Sequence, residues 1–169
     1  MKTEVEVVSK SDRQTPQSPL RIKKILVPIE DADCSRKAVQ YAIAFAKQFN
    51  ASITLLNALR IDYVGGEFSV DYQRLETELR ISGEALLEDL VSHDVRGQAP
   101  CDTKIQVGDP ASTIVETAED MAADLIIIST HGRTGFSHFL LGSTTEHVIR
   151  HAPCPVLTVR KNEHDFIEA

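Results

Sequence analysis

A chain of 169 residues is long enough to bury one full core and short of the length at which a second domain is expected. Its 42% hydrophobic and 25% charged residues, with no low-complexity block, are the composition of a soluble globular protein. A formal charge of −7 argues against a surface that neutralises phosphates in quantity, so neither nucleic acid nor an anionic membrane is an expected partner.

Residues 1–20 read as a polar extension, with Pro16 and Pro19 and only a brief alternation in "TEVEVV". It lacks the apolar stretch of a secretion signal, and no run in the chain approaches the roughly 20 residues that span a bilayer, so the cytoplasm is the expected compartment. The domain itself is read over 21–161, and "NEHDFIEA", 162–169, as a mobile tail.

"KKILVP", ended by Pro28, reads as a buried first strand. In the following "CSRKAVQYAIAFAKQFN", Ala38, Tyr41, Ala42, Phe45 and Phe49 recur at three- and four-residue steps, the mark of an amphipathic helix. "ASITLLNAL" is a second strand. After the loop "RIDYVGGEFSV", Leu75, Leu79, Leu86 and Leu90 set out a long second helix, and "DTKIQV" is a third strand. Gly108-Asp109-Pro110 then supplies a turn, a capping carboxylate and a proline suited to a first helical position. The helix it starts turns Ile114, Val115, Ala118 and Met121 inward. "DLIIIS" is a fourth strand, apolar on both faces. A last helix with Val148 and Ile149 buried leads to a fifth strand in "PCPVLTVR".

Strictly alternating strands and helices with doubly apolar strands imply a parallel sheet covered on both faces, because parallel strands need crossover connections. In such α/β sheets ligands sit beyond the carboxyl ends of the strands, where the strand order reverses. Two loops are therefore candidates: "PIEDADCS" after the first strand and "STHGRTGFSHFLLGSTTE" after the fourth.

In the first loop Glu30, Asp31 and Asp33 precede a helix. They could favour its positive end or accept from a ligand hydroxyl, and spacing does not separate the two. In the second, Gly132, Gly135 and Gly142 would let a ligand approach the backbone, and the next helix offers unpaired N–H groups to an anion. A β-carbon at Gly142 is expected to meet both the ligand and a strained backbone angle. Ser143 and Glu146 also have the spacing of a capping box, a structural feature needing no ligand. The loop has neither GxxxxGK[ST] nor the GxGxxG fingerprint. His131 could act as an acid or base beside a phosphate, but no orienting partner is visible; His147 and His151 share a helix face without a third metal ligand. Cys34, Cys101 and Cys154 form no CxxC pair and read as reduced packing residues.

These residues resemble the universal stress proteins. The nucleotide-binding branch of that family carries G-x2-G-x9-G-[S/T] after the fourth strand, and "STHGRTGFSHFLLGS" matches it at Gly132, Gly142 and Ser143, with Ser129 in place of the first glycine. "KKILVPIEDADCSRKAVQYA", "VGDPASTIVETAEDMAADLIIIST" and "RHAPCPVLTVR" are similar to other family segments, and the resemblance spans about Arg21 to Lys161.

The resemblance implies an open five-stranded parallel sheet of order 3-2-1-4-5 in a Rossmann-like, adenine nucleotide hydrolase-like fold. It implies an ATP-binding protein, with or without magnesium, for which AMP and ADP are alternatives, and a stress-response or regulatory module that is a homodimer through the last strand. Catalysis would be weak ATP hydrolysis at most. Carried over by position, Pro28, Ile29 and Glu30 would lie near ribose and adenine, Glu30 replacing the usual aspartate, and Ala58 would touch adenine. Ile128 and Ser129 would also line the site, and Gly132, Arg133, Gly142, Ser143 and Thr144 would surround the phosphates. A dimeric scaffold with an empty cleft and a slow ATP-hydrolysing enzyme remain the alternatives.

Overall fold

A computed structural model describes residues 20–61, 69–130, 142–160 and 167. Strands β1 (Lys24–Pro28), β2 (Ser52–Leu59), β3 (Cys101–Val107), β4 (Leu125–Ser129) and β5 (Val156–Val159) alternate with helices α1 (Ala32–Phe49), α2 (Ser69–Leu90), α3 (Pro110–Asp120) and α4 (Ser143–His151). The strands form one sheet in the order β3-β2-β1-β4-β5, all neighbours parallel. This is the order the family resemblance implies.

Because successive side chains of a strand point to opposite faces, every central strand contributes to two cores. Ile25 and Val27 of β1, Ile53 and Leu55 of β2, and Leu125 and Ile127 of β4 pack with Ala38, Tyr41 and Ala42 of α1 and with Leu87 and Leu90 of α2. On the other face Leu26, Leu56, Ile126 and Ile128 meet Ile114 and Ala118 of α3 and Val148 of α4. Helices thus cover both faces, and the outer strands β3 and β5 are each paired on one side. Ile167, from the segment read as a tail, is half-buried against the α1 side.

Two expectations about helix faces are corrected. Leu75 is 45% exposed, and Leu87, one residue beyond Leu86, is the buried position of that turn of α2. Ile149 is 43% exposed because its neighbour Val148 takes the inward position, and residues 100° apart on a helix cannot both face one narrow groove. Helix α2 runs on into a π-helical turn, Val91–Val95, which buries Val95 and carries Asp94 to the guanidinium of Arg36 on α1. Arg36 also reaches Asp89 at 3.3 Å.

The start of α3 is as the sequence predicts. Asp109 is the N-cap and accepts from the Ser112 N–H at 3.1 Å, with Pro110 in the first turn. That N–H is the first cause holding the Asp109 carboxyl below its ordinary pKa.

Candidate functional site

All five strands run the same way, so their carboxyl ends share one edge of the sheet. The chain leaves β1 toward β2 and β3 on one side and returns through β4 and β5 on the other, which places the reversal of strand order between β1 and β4. In open α/β sheets the loops that leave such a junction diverge to its two sides, and ligands sit in the crevice between them.

Pro28 closes β1, Ala58 lies next to the end of β2, and Ile128 next to the end of β4. By alternation from Leu26, Leu56 and Ile126, all three project on the face covered by α3 and α4. Pro28 and Ile128 are buried and Ala58 is half-buried. Ile29 follows on the opposite face, buried in the α1 core. Its N–H still donates to the Leu56 carbonyl at 2.7 Å, as if the strand went one residue further. Glu30 is exposed where the chain turns away, and its N–H makes a long 3.4 Å approach to Ser35 Oγ.

Across the junction, Thr145 of α4 is 4% exposed and its hydroxyl approaches the Ser129 carbonyl at 3.5 Å. This contact brings the first turn of α4 to the end of β4. Thr145 is absent from the sequence-derived site, although its place after Gly142-Ser143-Thr144 was a usable signal. Gly132 and Arg133 lie outside the described residues, as does His131.

The expected capping box is not formed. Gly142, not Ser143, is the N-cap: its carbonyl accepts from the Glu146 N–H at 2.9 Å, and Ser143 is the first helical residue. Glu146 is consequently one position too far along to reach back, and it pairs instead with Arg150 at 2.9 Å. No side chain among the described residues caps this end, so the N–H groups of the first turn keep their capacity for an anion. The expected strain at Gly142 is also absent. Its φ of −57° is open to any residue, and a β-carbon there would have no described atom within 4 Å.

Elsewhere the chemistry is quiet. Burial, helped by Asp102, pushes the Cys101 thiol up to about 11, and burial also raises Cys154. His147 and His151 stack with ring centres 4.1 Å apart, and among the described residues no group of three or more His, Cys, Asp or Glu could hold a metal. No helix among the described residues is long and apolar enough to cross a membrane.

The profile of the universal stress protein family matches residues 21–160. A universal stress protein of Methanocaldococcus jannaschii is 35% identical over 140 residues, which is 82% of each chain. Among solved structures, the universal stress protein UspA of Lactobacillus plantarum superposes with a TM-score of 0.73 at 26% identity, over 83% of this chain and 99% of that one. A universal stress family protein of Arabidopsis thaliana, solved with AMP bound, has the same fold, with a TM-score of 0.59 at 22% identity over 83% and 92% of the two chains.

Proposed function

The chain belongs to the universal stress protein family, and from that premise we propose that it binds an adenine nucleotide in the crevice between β1 and β4. One observation carries the reading: the first turn of α4 has no side-chain cap among the described residues and stands at the end of β4, beside the junction where Pro28, Ala58 and Ile128 line one face. Partly positive N–H groups favour a phosphate, and the apolar strand ends suit a flat base. The AMP held by the Arabidopsis relative supports this class of ligand.

In this reading Pro28 and Ala58 contact adenine and ribose, Ile29 lies next to them with its own side chain turned into the α1 core, Glu30 accepts from a ribose hydroxyl, and Ile128 and Ser129 form the floor. Gly142, Ser143 and Thr144 receive the phosphates together with Gly132 and Arg133. ATP, with or without magnesium, is the proposed ligand, and AMP and ADP would use the same base and ribose contacts. The protein works as a cytoplasmic regulatory module without strong catalysis. It is a homodimer through the outer edge of β5, where no further strand pairs among the described residues and the backbone groups invite a second strand. Val159 is 1% exposed within one chain, so Val156, Leu157 and the backbone, not Val159, make that contact.

Calorimetric titration with AMP, ADP, ATP and GTP, with and without magnesium, tests the ligand. Gly142→Val should leave the fold intact and abolish phosphate-dependent affinity, because its side chain meets nothing described in the protein and would occupy the space of the phosphate. Unchanged ATP affinity in that variant would remove the phosphate assignment, and monomeric sedimentation at micromolar concentration would remove the dimer.

A further inference from the structure

Asn57 interrupts the apolar run of β2 and is 6% exposed, on the face that packs against α1 and α2. Its Nδ2 donates to the Ile29 carbonyl at 2.8 Å. That bond fixes the orientation of the amide, since a carbonyl can only accept. The Oδ1 atom is therefore turned the other way, toward α2, where it is buried and has no hydrogen-bond partner among the described residues. Gly83 of α2 stands against it: a β-carbon there would lie 2.6 Å from Oδ1. A buried amide with half its capacity unmet is costly, and so is glycine inside a helix. Both are explained if holding the Ile29 carbonyl matters.

Ile29 is the residue at which β1 stops. Its N–H is held by the Leu56 carbonyl and its C=O by Asn57, so β2 grips both backbone groups beyond the last strand residue. The Ile29 carbonyl belongs to the same rigid peptide plane as the Glu30 N–H, which faces the buried Ser35 hydroxyl. Fixing that plane at both ends fixes the Glu30 N–Cα bond, and so the point from which the Glu30 side chain leaves the chain.

We propose that Asn57, assisted by Ser35, is a positioning residue that sets the Ile29–Glu30 peptide, and through it aims Glu30 at the ribose of a bound adenine nucleoside. The proposal rests on the nucleotide reading above. Asn57 touches no ligand; it removes from binding the cost of ordering the loop. Adenosine and AMP share the ribose contact and differ only at the phosphate, so loss of Asn57 lowers both affinities by the same factor.

The test uses the full chain with adenosine and AMP as probes. In Asn57→Leu, both affinities should fall by about tenfold, and adding Glu30→Ala should cost less than it does in the unmodified protein. In the ligand-free state the Glu30 amide should exchange its hydrogen faster while the amides of β2 stay protected. Unchanged affinity in the folded variant, or losses from Asn57→Leu and Glu30→Ala that multiply independently, would overturn the proposal. If Asn57→Leu does not fold, Gly83→Ala, which presses on the same amide, takes its place with the same expected outcomes. Should the unmodified protein bind neither probe, the nucleotide reading fails and takes the ribose role with it; unchanged Glu30 exchange would then overturn the positioning of the peptide as well.

Discussion

Replacing glycine by alanine inside a helix ordinarily stabilises a protein by up to about 1 kcal/mol, since alanine loses less backbone freedom on folding. Gly83→Ala is expected to do the reverse. The new methyl would sit 2.6 Å from Asn57 Oδ1 and 3.3 Å from Ile105 Cδ1. The isoleucine terminus can give way by a few tenths of an ångström, but the amide can retreat only by releasing the Ile29 carbonyl. A buried carbonyl left unpaired costs about 1–3 kcal/mol. Set against the helical gain, Gly83→Ala should destabilise the protein by about 1 kcal/mol, a fall of roughly 2–4 °C in Tm for a chain of this size. With Asn57→Ala the obstacle is gone, and Gly83→Ala should then stabilise by about 0.5–1 kcal/mol. The coupling between the two sites is thus about 2 kcal/mol, within the range for residues in contact. Urea unfolding of the unmodified protein, both single variants and the double variant measures it. Additivity within about 0.5 kcal/mol, or a rise in stability for Gly83→Ala alone, would refute the role given to the Asn57 amide.

Asp109→Ala removes the cap of α3 and should cost about 1 kcal/mol at neutral pH. Because the folded state lowers the Asp109 pKa, this contribution is complete above the ordinary carboxylate pKa and is lost as pH falls through the folded value, so unfolding curves of variant and unmodified protein should converge in acid. Ala122 holds φ at 49°, a left-handed angle at the end of α3 that glycine adopts without penalty. Ala122→Gly should raise stability by about 0.5–1 kcal/mol, and a lower Tm would contradict this. Cys101, with its thiol pushed up to about 11, should be alkylated at pH 7.5 far more slowly than a free cysteine; peptide mass spectrometry after timed iodoacetamide treatment checks this, and rapid labelling would contradict it.

The sequence made the fold legible because its strands are short, apolar on both faces and separated by helices, and because Asp109 and Pro110 state a helix start within neighbouring residues. The start of α4 was harder. Ser143 and Glu146 have capping-box spacing, yet the helix begins one residue earlier, so the box falls out of phase by a single position. Nothing local distinguishes Gly142 from Ser143 as the cap. Val148 and Ile149 present the same kind of problem, since two adjacent apolar residues leave the inward choice to the packing of α3 and the sheet. Asn57 was the least readable of all. Its partner is a backbone carbonyl 28 residues away, met only once β1 and β2 pair in register, and the glycine that makes room for it belongs to α2. In sequence the three look like a strand end, an ordinary strand end and a weak helix position.

The junction between β1 and β4 pairs Ile25 with Leu125 and Leu26 with Ile126, and the Asp124 carboxylate accepts from the N–H groups of Lys23 and Lys24 at 2.7 and 3.0 Å. These are contacts between segments about a hundred residues apart in the chain, whereas β1 to β2 and β2 to β3 close shorter loops. Closure of a longer loop carries the larger entropic penalty, and contacts of high sequence separation slow folding. The β1–β4 seam is therefore expected to close late, after β1, β2 and β3 have assembled with α1 and α2. A molecule that needs both sides of the seam has nothing to bind before that step. Nucleotide added during refolding should leave the folding rate unchanged and slow only unfolding, acting as a latch on a finished chain and not as a template for an unfinished one.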